Sequence, residues 1–160
     1  RQRQMCIRDR DGPGGEPYVL FESGAILMYM AEKHGKLMPA DTSMRYEVVQ
    51  WLMFQMGGIG PMFGQAHHFR RAKTQGEYGI NRYTPEARRL WGVLDGHLGE
   101  NEYMHKSYSI ADMAIFPWTA RYEWQGVALE EFPNVKRWYE ALEARPAVGT
   151  AMSINLAEAA

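Results

Sequence analysis

Glu22 and Ser23 stand side by side where an apolar run of strand type, Tyr18–Phe21, gives way to helical spacing from Gly24. Such a corner presents unpaired backbone N–H groups at the positive end of a helix dipole, which favours a carboxylate. The Ser23 hydroxyl is a further donor, and Glu22 offers an anion to an ammonium group. An amino-acid head group carries both charges on one carbon, so this pair could bind it at both ends. The same two residues also read as architecture, with Ser23 as an N-cap and Glu22 as a first-turn carboxylate. Both readings stand on the sequence.

A second polar group, Gln65, His67 and His68, follows a glycine-rich stretch. Adjacent histidines point about 100° apart on a helix, which makes a poor chelating pair. With no cysteine or carboxylate cluster beside them, no metal site is expected. Ser109 and Asp112 form a third group, spaced as a reciprocal capping box. The Ser109 hydroxyl can accept from the Asp112 N–H while the Asp112 carboxylate reaches back to the Ser109 N–H. Tyr108 and Met113 take the staple positions. The helix they open is apolar all round from Ile110 to Trp118, so this carboxylate reads as structural.

The elements that must position these groups follow from spacing. Ile26, Leu27 and Met30 predict a helix over Gly24–His34, which Gly35 closes. Met38 to Thr42 reads as a linker. Val48, Val49, Leu52, Met53 and Met56 form one stripe, and Gly57, Gly58, Gly60 and Pro61 predict a kink or break after it. Thr84-Pro85 predicts a helix start, with Ala87, Leu90, Trp91, Leu94 and Leu98 as its buried face. Pro117 predicts a kink within the Ser109 helix. Phe132-Pro133 opens a last strong helix through Val135, Trp138, Tyr139 and Leu142, ended by Arg145-Pro146. The tail after Ala147 is expected to fray.

Composition narrows the function. Eighteen basic and nineteen acidic residues nearly cancel, which favours neither nucleic acid nor an anionic membrane. No apolar run approaches the roughly 20 residues that cross a bilayer. One cysteine, Cys6, fits a reducing compartment, and the cytoplasm is the expected location. Residues 1–10 hold four arginines without periodicity and read as a non-native lead-in to a truncated fragment. A lone strand leaves its edges unpaired, so Met5–Asp9 is a makeshift partner for Tyr18–Phe21 across the Gly12–Gly15 turn.

Several of these segments carry a resemblance. S-I-A-D at Ser109–Asp112 resembles the folding signature of the helical domain of glutathione transferases. F-E-S-G-A-I-L-x-Y-x-A-E-K from Phe21 is similar to the segment that holds the γ-glutamyl end of glutathione in that family. W-L-x-x-Q-x-G-G-x-G-P-M-x-G-Q-x-H-H-F, Trp51 to Phe69, resembles the Nu-class branch, described chiefly as glutathione-dependent disulfide reductases. The likeness runs from about Asp11 to Gly149.

The resemblance implies an α+β chain, mostly α. Residues 11–38 would be a remnant of a thioredoxin-like domain and 39–160 an all-α glutathione transferase C-terminal domain. It implies glutathione as cosubstrate, with Glu22 on its α-ammonium, Ser23 on its α-carboxylate, and Arg82 of the I-N-R-Y segment as a further contact. Arg82, with Arg88 and Arg89 close behind, also reads as a solvated cation beside a helix start. Gln65, His67 or His68 would line the pocket for a small electrophile or disulfide. The intact family member would be a homodimer, weakened here with half the first domain absent. The hydroxyl or amide that activates the thiol is matched by no residue before Tyr18, so no turnover is expected of this chain. Cys6 is a poor nucleophile, since only nearby arginines would stabilise its thiolate. An alternative is a non-catalytic interaction or regulatory module of the same fold.

Overall fold

The computed structural model describes residues 6–72 and 76–154. Two short strands, β1 (Cys6–Asp9) and β2 (Tyr18–Phe21), pair antiparallel with Cys6 opposite Phe21 and Asp9 opposite Tyr18. The expected makeshift pairing therefore forms over Cys6–Asp9, while residues 1–5 lie outside the described residues. Helix α1 (Ser23–His34) follows and ends at Gly35, whose left-handed φ of 60° lets the Lys36 N–H reach the Ala31 carbonyl at 3.1 Å. A non-glycine residue would pay a steric penalty in that conformation.

The rest is helical: α2 (Thr42–Phe54), α3 (Gly60–Arg71), α4 (Glu77–Glu100), α5 (Ile110–Thr119), α6 (Tyr122–Gln125), α7 (Pro133–Glu143) and α8 (Pro146–Ser153). Asp41 caps α2, its carboxylate accepting from the Met44 N–H at 2.9 Å. α4 is the spine. Ala87, Leu90, Trp91, Leu94 and Leu98 are all buried on one face, against Phe63 of α3 and Val135 and Trp138 of α7. Each such large side chain contributes about 1.5–3 kcal/mol by leaving water. Among the described residues no helix is long and apolar enough to cross a membrane.

Two expected boundaries are corrected. Of the kink or break expected at Gly57 to Pro61, the break does not occur, because residues Gln55–Ile59 form a π-helical turn that leads without interruption from α2 into α3. Burial of Ile59, Gly60 and Phe63 holds that turn helical despite its glycines. Nor does a helix start at Thr84-Pro85, since α4 begins at Glu77 and carries Pro85 in its interior. Phe69 explains this. Its ring stacks on Tyr83 at 5.4 Å and fills the space over Gly79, one turn earlier on α4. That contact docks the first turns of α4 onto α3 and offsets the donor that Pro85 lacks. The segment after Ala147 is helical in α8 as far as Ser153, and residues 155–160 lie outside the described residues.

The Ser109 capping box forms as expected. The Ser109 hydroxyl also accepts from the Ala111 N–H at 3.3 Å. Pro117 lies inside α5. The Ile110 N–H donates to the Leu37 carbonyl at 3.0 Å, which ties the residue just before the linker to the start of α5.

Candidate functional site

The corner between β2 and α1 is held in a conformation that only function or tight packing explains. Glu22 has φ 70° and ψ 117°, an unusual region for a residue with a Cβ. It precedes the helix and makes no side-chain cap hydrogen bond, while Ser23 is the first helical residue. The architectural reading of the pair, with Ser23 as N-cap, is therefore not realised. The Ile26 N–H closes on the Glu22 carbonyl at 2.9 Å, leaving the N–H groups before it without intrahelical acceptors. Both side chains are exposed. Among the described residues the Ser23 hydroxyl has the Met56 thioether, 3.8 Å away and a weak acceptor, as its hydrogen-bond partner. A hydroxyl, an anion and open N–H groups thus share one edge, which suits a zwitterion.

Met56 reaches this corner through the π-helical turn, and it packs on Gly24, where a Cβ would stand 3.2 Å from its side chain. The spacing of apolar residues placed Met56 on the α2 stripe and missed this role. A glycine-rich run after Gln55 was the available signal, since π turns recur at functional sites. Gln55 itself is buried, and its Oε1 has no hydrogen-bond partner among the described residues.

The remaining candidates do not converge. Gln65 is exposed on α3, and His68 is exposed with its ring edge-on to Phe69. His67 is half-buried against Trp124, at 4.4 Å between ring centroids. Burial first, then the nearby Arg71, Arg121 and His68, lowers the His67 pKa. Arg82 stands more than a turn inside α4 rather than beside its start, a correction that follows from the longer helix. It is exposed, with its guanidinium 5.7 Å from the Tyr83 ring and near Glu86. Cys6 lies in β1 opposite Phe21.

Asp112 occupies a different kind of place. It is fully buried, and its Oδ1 accepts from the Met104 N–H and the Trp138 Nε1–H, each at 2.9 Å. Its Oδ2 accepts from the Ser109 N–H at 2.9 Å and the Ser109 hydroxyl at 3.0 Å. Four donors fill its acceptor capacity. It is structural, as the spacing indicated.

A family model described as the C-terminal domain of glutathione S-transferase matches residues 59–146. The chain belongs to the glutathione transferase family. It is 46% identical over 141 residues to the disulfide-bond oxidoreductase YfcG of Escherichia coli, covering 87% of this chain and 66% of that protein. Against the disulfide-bond oxidoreductase YghU of the same organism identity is 39% over 157 residues, 91% of this chain and 54% of the relative. The chain thus spans between about half and two thirds of these relatives. A crystal structure of a glutathione transferase from Pseudomonas putida, with one glutathione disulfide bound per subunit, superposes with a TM-score of 0.88 at 46% identity. That match covers 93% of this chain and 68% of the other.

Proposed function

We propose that this transferase-family chain provides the γ-glutamyl half of a glutathione site in a glutathione-dependent disulfide reductase or conjugating enzyme. The observation that carries the reading is the strained, exposed Glu22–Ser23 corner, whose donors and carboxylate are left without strong protein partners. The bound glutathione disulfide of the Pseudomonas putida relative and the two oxidoreductase relatives support it. In this reading Glu22 holds the α-ammonium, while the Ser23 hydroxyl and N–H hold the α-carboxylate. Arg82 offers a further cation to glutathione, and Gln65, His67 or His68 would line the side of the pocket that takes the second substrate. Glutathione supplies the thiol that attacks a disulfide or a small electrophile, while these residues bind and orient it.

The proposed division is a thioredoxin-like part over 11–38 and a helical domain over 39–160. Cytoplasmic location and a homodimer go with the reading. Exposed Tyr46 and Met53, two turns apart on α2, offer an apolar face for a second copy. In this reading none of the described residues takes the part of the thiol-activating group, and binding without turnover is the outcome it predicts.

Calorimetric titration of glutathione into the purified chain tests the site. Glu22→Ala and Ser23→Ala are each expected to weaken binding about tenfold, the value of one charge-assisted hydrogen bond. Binding that survives both substitutions overturns the assignment.

A further inference from the structure

A separate group of cations surrounds one tryptophan. Trp124, on α6, has the Arg71 guanidinium 4.5 Å and the Arg121 guanidinium 4.6 Å from its ring, besides the His67 ring. The Arg71 guanidinium also stands 3.5 Å from the His67 Nε2. Arg70 adds its guanidinium against Gly126, which closes α6 with a left-handed φ of 74°. A Cβ at position 126 would overlap that guanidinium as well as strain the backbone.

What sets the pair apart is that two cations share one ring. Arg45, Arg88 and Arg89 each pair with a glutamate, whereas among the described residues Arg71 and Arg121, both over Trp124, form no ion pair with a carboxylate. Both lie on one indole, so their guanidiniums are within about 9 Å of each other. A guanidinium stacked on an aromatic face keeps its in-plane N–H donors available, and that fork matches an oxyanion. Like charges gathered this closely gain most from an anion that bridges them. The cluster is too small for a nucleic acid or a membrane face, and the chain's net charge is −1. It also stands apart from the corner at Ser23. Met56 and Arg71 are joined by continuous helix, which at 1.5 Å per residue separates them by about 20 Å.

We infer that Arg71 and Arg121, stacked on Trp124, form a binding site for a small polyvalent oxyanion, a diphosphate or a dicarboxylate. The inference does not rest on the glutathione reading.

The test is calorimetric titration of inorganic pyrophosphate, and separately of succinate, into the 160-residue chain at low ionic strength. One-site binding is expected. Arg71→Gln and Arg121→Gln should each weaken it at least about fivefold, with helical content unchanged. Arg71→Lys keeps the charge without the planar fork and should recover only part of the loss. Arg88→Gln should leave anion binding unaltered. Tighter binding of pyrophosphate identifies a phosphate ligand, and equal or tighter binding of succinate a carboxylate. If neither anion binds, or binding ignores both arginine substitutions, the site is overturned.

Discussion

Two helix starts in this chain are written in nearly the same residues and end up in opposite states. Glu22-Ser23 and Ser109–Asp112 each bring a hydroxyl and a carboxylate to the N-terminal turn. At Asp112 the protein supplies four donors to two oxygens, and nothing is left for a ligand. At the Glu22 corner the protein supplies a strained backbone and one weak thioether contact. The lesson is that a polar motif declares its role by the partners it lacks. A saturated carboxylate holds a fold together; an unsatisfied one at a helix N-terminus, kept in an unfavourable conformation, is available for binding.

The largest test of that contrast removes the saturated group. Asp112→Ala strands the Met104 N–H and the Trp138 indole N–H in the core, and a cost of about 4 kcal/mol is expected. Urea unfolding measures it. A loss below about 1 kcal/mol would mean that the network relaxes around the vacancy, and the contrast with Glu22 would weaken.

A third helix start sharpens the comparison. The N-terminus of α7 is capped from another helix, with Asp95 of α4 accepting from the Asn134 N–H at 2.9 Å and the Val135 N–H at 3.1 Å. In return Arg137 of α7 donates to the Leu98 and Asn101 carbonyls, at 2.6 and 2.8 Å, closing the end of α4. Asp95→Ala is expected to cost about 2 kcal/mol in the same measurement, the upper range for a lost cap. A cost near zero would show that core packing and Arg137 hold the two helices together without the Asp95 cap.

How much of this could be read from the residues depends on whether the governing contact was local. The Ser109 box, the Gly35 stop and the start at Pro133 were legible, because caps act within four residues. The location of the Glu22–Ser23 corner was legible for the same reason. The helical passage through Gly57–Pro61 and the early start of α4 were not. Their local preferences oppose helix, and they are overruled by Ile59 and Phe63 in the core and by Phe69 on Gly79 and Tyr83. Asp95 capping a distant helix has no local trace. The same holds for Arg71 and Arg121 meeting at Trp124, since only the packing of α6 on α3 brings them together.

The exposed corner should show stability and binding in opposition. Glycine tolerates φ 70° freely, so Glu22→Gly removes backbone strain and is expected to stabilise the chain by about 1 kcal/mol. It also removes the anion, and glutathione affinity should fall about tenfold. Unfolding and calorimetry on one sample read both effects. A variant that is stabilised yet binds as before would mean that the strain serves packing around Met56 rather than a ligand.

The smallest effect concerns the sign of a pH dependence. Burial raises the Asp112 pKa above its ordinary value, outweighing the four hydrogen bonds, which each pull it down. The folded chain then holds this proton over a pH range in which the unfolded chain has released it. The contribution of Asp112 to stability is therefore fully present below its unfolded pKa and declines as pH rises through the folded one. Unfolding free energies of the parent and of Asp112→Asn, compared across a pH series, should accordingly draw closer together from acid toward neutrality. A gap that widens over the same range would give the opposite sign. It would mean that the donors from Met104, Ser109 and Trp138 stabilise the anion more than burial penalises it, so that the cap is strongest when charged.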